Sequence, residues 1–430
     1  MPTRRPAHRD TTRIADSGDL GAHGALRYWP VPELVALDLP GGTGFVDALQ
    51  AIWDTGDAAA PLDPRLPSVA RRTMLDALRP TRIVGSDGDQ HALAGGVPVE
   101  EGDALVVATS GTSGEPKGVV LTRGAIVASA RATTDRLGLD PSRHTWLACL
   151  PLAHIGGLSV VTRALITQTP LVVMPGFDAD LVEDAGRSGR VSHVSLVTTA
   201  LARLDPSVFS CVVLGGSKPP ATVPPNVVTT YGMTETGSGV VYNGAPLEGV
   251  EISIRYAADT YPVPPEADDA SSGADGEILI RAPRLFRCYR EGEDGRVVGP
   301  DGTPGWFATG DAGHWDADGR LAVSGRVDDV ITTGAEKVWP DLVERVLSAH
   351  PDVAEVAVWK RSDPQWGERV VAWVVPSDEE APSLEDLRRI VAETIAPWAA
   401  PRELVLVDDL PRTAAGKVRR RALEGFEVEA

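Results

Sequence analysis

Between Phe45 and Val240 the sequence alternates short apolar runs with longer segments of helical periodicity. The runs fall at residues 105–108, 171–174, 191–197, 212–214 and 227–229. Apolar runs of strand length predict strands buried on both faces, hence a mostly parallel sheet covered by helices. The expected class is therefore α/β. From Val250 to Val323 the pattern changes: residues 251–255, 276–281 and 320–324 alternate apolar and polar side chains between Gly/Asp turns. That predicts an antiparallel or barrel-like β subdomain, with residues 262–275, acidic and rich in Pro, Ala and Ser, as a surface loop.

A boundary is expected near Asp328, dividing a large N-terminal domain (1–327) from a small, mobile α+β domain (328–430). The small unit reads as a helix at 341–349, strands at 353–360 and 370–375, and a helix at 383–395. In the last helix Leu384, Leu387, Val391 and Ile395 form one apolar stripe able to cover a sheet. The first 30 or so residues are polar and turn-rich, and read as a loosely held arm.

Charge narrows the function. The net charge is −19, which argues against nucleic acid or an anionic membrane as partner, since both need a broad basic face. The three cysteines, Cys149, Cys211 and Cys288, are scattered and lack metal-ligand spacing. No apolar signal region and no apolar run of about 18 residues occurs, so a cytoplasmic protein without membrane insertion is expected.

The densest chemical signal is Thr109-Ser110-Gly111-Thr112-Ser113-Gly114-Glu115-Pro116-Lys117-Gly118, directly after an apolar run. Glycines let backbone N–H groups approach an anion, hydroxyls add donors and the ammonium adds charge: together, a triphosphate cradle. Gly118 after the lysine separates it from the P-loop of nucleotide-binding proteins, which has Ser or Thr there. Lysine is scarce, only Lys117, Lys218, Lys337, Lys360 and Lys417, while arginine carries the general surface charge. Five further segments are candidates. In Tyr231-Gly232-Met233-Thr234-Glu235-Thr236, Glu235 offers a hard oxygen to Mg²⁺ and Thr234 a donor to phosphate; a capping Thr with an exposed Glu is the plainer reading. Gly215-Gly216-Ser217 ends a strand, where paired glycines let backbone pass close to a flat ring, or simply turn. Asp311, after Gly310, can accept two ribose hydroxyls with Arg326 in reach, or cap a turn. Lys417 lies in a turn-rich loop, read otherwise as a solvated basic tail with Arg419, Arg420 and Arg421. Finally, His154 precedes a Gly-Gly break and Arg163 follows in an apolar helix; a structural histidine and a surface arginine are the alternatives.

In this order the segments TSGTSGEPKGV, LGGS, YGMTET, WFATGD, GRVDDVITTG and LPRTAAGK resemble the acyl/aryl-CoA ligase, luciferase and nonribosomal adenylation superfamily over residues 100–425. The resemblance implies two half-reactions: a carboxylate attacks the α-phosphate of Mg·ATP to give an acyl-adenylate, and a thiol then displaces AMP. It implies that the Thr109–Lys117 loop (Thr109, Ser110, Gly111, Thr112, Ser113, Gly114, Lys117) holds the phosphates. Gly215, Gly216, Ser217, Tyr231 and Gly232 would surround the nucleotide. Thr234 would contact phosphate and Glu235 bind Mg²⁺, while Asp311 and Arg326 hold the ribose. Lys417 would bridge carboxylate and phosphate in the first step; rotation about Asp328 would then replace it with the segment around Gly334, where CoA enters. PLAHIGGLSVVTRAL and YGMTETGSGVVYNGAPLEGV look like the o-succinylbenzoate–CoA ligase branch, of menaquinone synthesis. That substrate is an aromatic diacid. Arg163 matches the position that would meet the second carboxylate, with His154, Gly232 and Met233 lining the same pocket. Ala153, Gly156, Ser113 and Ala335 depart from the residues more common in the family. Other aryl- or acyl-CoA ligases, a carrier-loading adenylation enzyme and a non-catalytic adenylate-binding protein are the competing readings; Lys117, Glu235 and Lys417 weigh against the last. A homodimer is compatible with the sequence.

Overall fold

The computed structural model describes residues 31–85, 88–110, 116–217, 219–220, 222–256, 275–290, 305–334, 336–377, 381–412 and 418–426. All elements below belong to the unit Pro32–Ala430. The loop residues Gly111, Thr112, Ser113 and Gly114, together with Lys218, Ala335 and Lys417, lie outside the described residues.

Two seven-stranded sheets carry the bulk of the fold. In the first, Leu34–Leu37 pairs in parallel with Ala58–Pro61 and Arg82–Val84. Every residue of Leu34–Leu37 and Ala58–Pro61 is buried, as strands covered on both faces must be. The helix Thr43–Asp54 buries Phe45, Leu49, Ile52 and Trp53, a single stripe at helical spacing. Asp103–Ser110 and Pro116–Thr122 then form an antiparallel hairpin in register Thr109↔Lys117. Lys117, expected in a loop, thus stands on a strand of this hairpin, held there by its pairing with Thr109, which separates the segment further from a strand–loop–helix P-loop.

The second sheet runs in the order Ala245–Pro246, Ser238–Tyr242, Val227–Met233, Cys211–Leu214, His193–Leu196, Trp146–Ala148, Leu171–Val173. Side chains alternate across it. Leu147, Val194, Val212 and Leu214 pack with Val182 and Ala185 of the helix Ala179–Arg187. Trp146, Ala148 and Val213 face the other way, into the core that holds Leu158, Val161 and Ala164 of the helix Ile155–Thr167. Every residue from Gly157 to Ala164 is buried, so this helix is enclosed on all sides and any charge on it leaves water.

The expected antiparallel subdomain is a four-stranded antiparallel sheet of Glu251–Arg255, Gly276–Arg281, Phe307–Trp315 and Leu321–Arg326. A last sheet contains Glu336–Val338, Ile331–Thr333, Gly367–Pro376 and Val353–Asp363, with Glu403–Leu406 parallel to Gly367–Pro376. Its helices Pro340–Leu347 and Leu384–Thr394 bury Val343, Leu347, Leu387 and Val391 against it.

Local details correct the sequence reading. The strand Val227–Met233 runs through Tyr231, Gly232 and Met233 instead of ending at Thr229, because a bulge at Tyr231/Gly232 lets Ser238–Tyr242 keep pairing. Gly310 is no turn: it sits inside Phe307–Trp315 at φ 69°. Gly156 and Gly157 do not break the chain but open the helix Ile155–Thr167; a Cβ on Gly157 would lie 2.5 Å from the Leu150 carbonyl. The stripe on Leu384–Thr394 ends at Val391, and Ile395 is 38% exposed. Arg420 is not a solvated tail residue: it ion-pairs with Asp329 at 3.0 Å, Asp341 at 2.5 Å and Glu344 at 2.6 Å.

Candidate active site

Parallel pairing sets strand ends side by side, the place where open α/β sheets receive ligands. The register Leu214↔Thr229 puts Gly215 next to Thr230, whose hydroxyl donates to the Leu214 carbonyl at 3.0 Å. A Cβ on Gly215 would lie 2.7 Å from that hydroxyl, and Gly216 takes φ 83°; both conditions select glycine. Ser217 follows, its hydroxyl 3.0 Å from that of Thr198.

Tyr231 lies one residue beyond Thr230 and donates its phenol to Asp311 Oδ2 at 2.8 Å. The other carboxylate oxygen accepts from Arg326 Nη1 at 3.0 Å, and the same nitrogen donates to the Thr309 carbonyl at 2.8 Å. Thr309 is buried; its hydroxyl accepts from the Asp311 N–H at 3.0 Å and donates to the Ile278 carbonyl at 2.8 Å. The residues Asp311↔Arg326 are register partners, and the Arg326 guanidinium covers the open side of Gly310, where a Cβ would lie 2.6 Å from Nη2. Burial raises the Asp311 carboxyl above its ordinary pKa, although Arg326 and Tyr231 pull it down. Burial and the Asp311 charge together push the Tyr231 phenol well up, so it stays a donor. The carboxylate keeps acceptor capacity beyond these two donors, which suits paired hydroxyls.

Thr234–Thr236 forms a 3₁₀ turn that projects Glu235. Thr236, fully buried, locks it: its hydroxyl accepts from the Met233 N–H at 2.9 Å and donates to the Ser238 carbonyl at 2.6 Å. Glu235 Oε1 accepts from the Tyr289 phenol at 3.0 Å, and Lys117 Nζ sits 5.4 Å from the centre of the Tyr289 ring. One aromatic side chain thus links the carboxylate to the loop lysine. Among the described residues no cluster of three or more His, Cys, Asp or Glu could hold a metal. A lone carboxylate beside a lysine fits Mg²⁺ that arrives on a polyphosphate and keeps several waters.

The third part is dry. Arg163, on Ile155–Thr167, is only 2% exposed. Its Nη2 donates to Ser238 Oγ at 3.2 Å, while Nε and Nη1 have no partner. Burial lowers its pKa, yet a guanidinium keeps its charge in a protein. Among the described residues no carboxylate pairs with it. Its guanidinium lies 4.9 Å from the Trp146 ring centre. A buried cation with two free nitrogens calls for an anion.

The structure therefore joins Gly215, Gly216, Tyr231, Asp311 and Arg326 in one group and Glu235 and Lys117 in another. Ser238, five residues beyond Met233 on the same hairpin, connects both to Arg163. Gly232 faces Gly239 in register, with backbone too close on that side for a Cβ. His154 is not brought to Arg163: it is exposed, at the start of the helix, and its charge acts on Asp63. Nine residues of helix separate the two, about 13 Å and half a revolution. Gly334, at φ 66°, donates its N–H to the Trp366 carbonyl at 2.7 Å, and Asp328 lies in the 3₁₀ turn Val327–Asp329. Sequence reasoning missed Trp146, Ser238, Thr309 and Tyr289; Trp146, Ser238 and Tyr289 matter through partners remote in sequence, and Thr309 through the neighbouring Asp311 as well as the distant Ile278 and Arg326.

Residues 94–290 match the family model for AMP-binding enzyme, and residues 342–417 that for the AMP-binding enzyme C-terminal domain. The fold is that of the adenylate-forming class. The probable 2-succinylbenzoate–CoA ligase of Mycobacterium tuberculosis (strain ATCC 25618 / H37Rv) is 40% identical over 358 residues, covering 77% of this chain and 86% of the relative. The 2-succinylbenzoate–CoA ligase of Bacillus anthracis (strain A0248) is 31% identical over 443 residues, covering 92% and 88%. The o-succinylbenzoate CoA synthetase (MenE) of Bacillus subtilis, solved with the acyl-adenylate intermediate OSB-AMP, superposes with TM-score 0.78 at 28% identity over 92% of this chain and 88% of that one. The same enzyme with ATP and magnesium ion gives 0.77 at 28% identity, over 91% and 89%. The chain belongs to the 2-succinylbenzoate–CoA ligase family.

Proposed function

We propose that this protein converts 2-succinylbenzoate, ATP and CoA to 2-succinylbenzoyl-CoA, AMP and diphosphate, in the cytoplasm and in the service of menaquinone synthesis. In the first half-reaction one substrate carboxylate attacks the α-phosphorus of ATP. Gly215, Gly216 and Tyr231 flank the base, Ser217 and Gly232 lie against the nucleotide, and Asp311 and Arg326 hold the ribose. The loop Thr109 to Lys117 holds the outer phosphates, with Thr234 as a further donor. Mg²⁺, held by Glu235, would neutralise charge on the phosphates. Lys417, outside the described residues, stabilises the charge that gathers between carboxylate and phosphate; one such preorganised donor is worth about 3–4 kcal/mol. In the second half-reaction the CoA thiol displaces AMP. A domain of residues 328–430, turning about Asp328 against residues 1–327, exchanges Lys417 for the Gly334 segment. Met233 and Gly232 border the acyl group, and His154 marks the exposed start of the helix that carries Arg163. A homodimer completes the proposed partner set, readable by sedimentation.

One observation carries the choice of a diacid: Arg163 is buried, charged and two-thirds unpartnered. The second substrate carboxylate supplies what the protein withholds. The test is CoA-dependent AMP release over a panel of aromatic acids, in wild type and Arg163→Ala. Truncation should lower kcat/KM for 2-succinylbenzoate by about 10²–10³, the scale of an uncompensated buried ion partner, and spare monoacids. Equal losses for mono- and diacids would sink the assignment.

A further inference from the structure

Arg163 raises a question of restraint. A buried arginine is ordinarily held by a carboxylate, which would consume its donors and cancel its charge. Here a hydroxyl takes one nitrogen, and the remaining hold is a ring: Trp146, with no measurable exposure, has its ring centre 4.9 Å from the guanidinium carbon. A π face attracts a cation without using an N–H donor, and most strongly where water is absent. Trp146 is itself fixed by packing alone. Its Nε1 has no partner, its strand neighbours are His193 and Leu171, and the His193 ring meets it edge-on at 5.4 Å. His193 in turn lies 2.8 Å from the Ser192 hydroxyl and 4.7 Å from the His144 ring.

We propose that Trp146 is the positioning residue that holds the Arg163 guanidinium with its donors free, and so sets the preference for an acyl substrate with a second carboxylate. This rests on the diacid reading of Arg163. The residue touches no reacting atom. It keeps Nε and Nη1 available where a carbonyl or carboxylate brace would occupy them, and it keeps the charge undiminished.

The test compares Trp146→Leu and Trp146→Phe with wild type, using 2-succinylbenzoate and two monoacids of the same skeleton, 4-oxo-4-phenylbutyrate and 2-butanoylbenzoate. Trp146→Leu should raise KM for the diacid about tenfold and Trp146→Phe about two- to threefold, the ring partly restoring the hold. The diacid kcat and the monoacid KM values should stay put. In the Arg163→Ala background neither change should matter further, a non-additivity expected only of groups acting through one another. Equal rises for mono- and diacids, or additive effects with Arg163→Ala, would overturn the proposal. If Trp146→Leu does not fold, Trp146→Phe decides by the same criteria. An Arg163→Ala variant with unchanged diacid KM removes the diacid reading and the brace with it; a raised KM there beside unchanged Trp146 variants removes only the brace.

Discussion

The two ends of the site solve opposite problems. At the end proposed to hold the ribose, Asp311, Arg326, Tyr231 and Thr309 satisfy one another. At the end proposed to hold the acyl group, Arg163 is buried with two nitrogens unmet. The first is a template already assembled, so a ligand adds bonds to groups whose desolvation is offset. The second is a deficit that a ligand of the right charge removes. Preorganised networks favour tight, reorganisation-free binding, whereas an unpaired buried charge favours discrimination, because a ligand without the counter-charge leaves the deficit in place. The contrast predicts that removing a ligand-facing charge has opposite effects on stability at the two ends.

At the ribose end, Asp311→Ala should be the most damaging change. It strands the half-buried Arg326 and leaves the half-buried Tyr231 phenol without its acceptor. A loss of about 2–3 kcal/mol in unfolding free energy is expected, with KM for ATP raised at least tenfold; an intact stability curve in urea would show that the network is not the scaffold described. At the acyl end, Arg163→Met should act the other way. Exchanging an unpaired buried cation for an apolar chain of similar length should stabilise the ligand-free protein by about 1–3 kcal/mol, while the diacid preference disappears. A fall in Tm for Arg163→Met would mean that the guanidinium is satisfied, and the comparison would collapse.

The same contrast explains what could be read from the sequence. The residues proposed for ribose and phosphate lie in segments whose chemistry is local: a glycine pair, a hydroxyl beside a carboxylate, a lysine after a hydroxyl-rich run. Arg163 was legible as an arginine in an apolar helix, with a surface charge as the alternative, and its match to a second carboxylate came only through resemblance. Its meaning depends on burial and on Trp146 and Ser238, seventeen residues before it and seventy-five after. Element types were legible because buried parallel strands write continuous apolar runs. Strand ends were not, since the bulge at Tyr231/Gly232 and the left-handed Gly310 continue strands where glycine suggests turns. Ile395 extended an apolar stripe by periodicity, yet the helix Leu384–Thr394 ends before it can face the sheet. Arg420 looked like tail charge because Asp329, Asp341 and Glu344 come together around it only in three dimensions.

The smallest effect concerns His193, whose buried ring meets Trp146 edge-on. Burial, helped by the neighbouring His144, lowers its pKa to about 4, against about 6.5 in an unfolded chain. A base whose pKa is depressed by folding is neutral in the native state between those values, while the unfolded chain takes up a proton. Its contribution to stability is therefore complete above pH 6.5 and is lost as pH falls toward 4, with a slope of at most about 1.4 kcal/mol per pH unit. In His193→Gln that slope should vanish: wild type and variant run parallel above pH 6.5 in urea denaturation, and wild type alone steepens below it. The dry region around Trp146 would then exclude further cationic charge while Arg163 demands an anion from the ligand. If instead the two curves stay parallel down to pH 4, the imidazole meets water, and the region beneath Trp146 is too wet for an unpaired Arg163 to discriminate by charge.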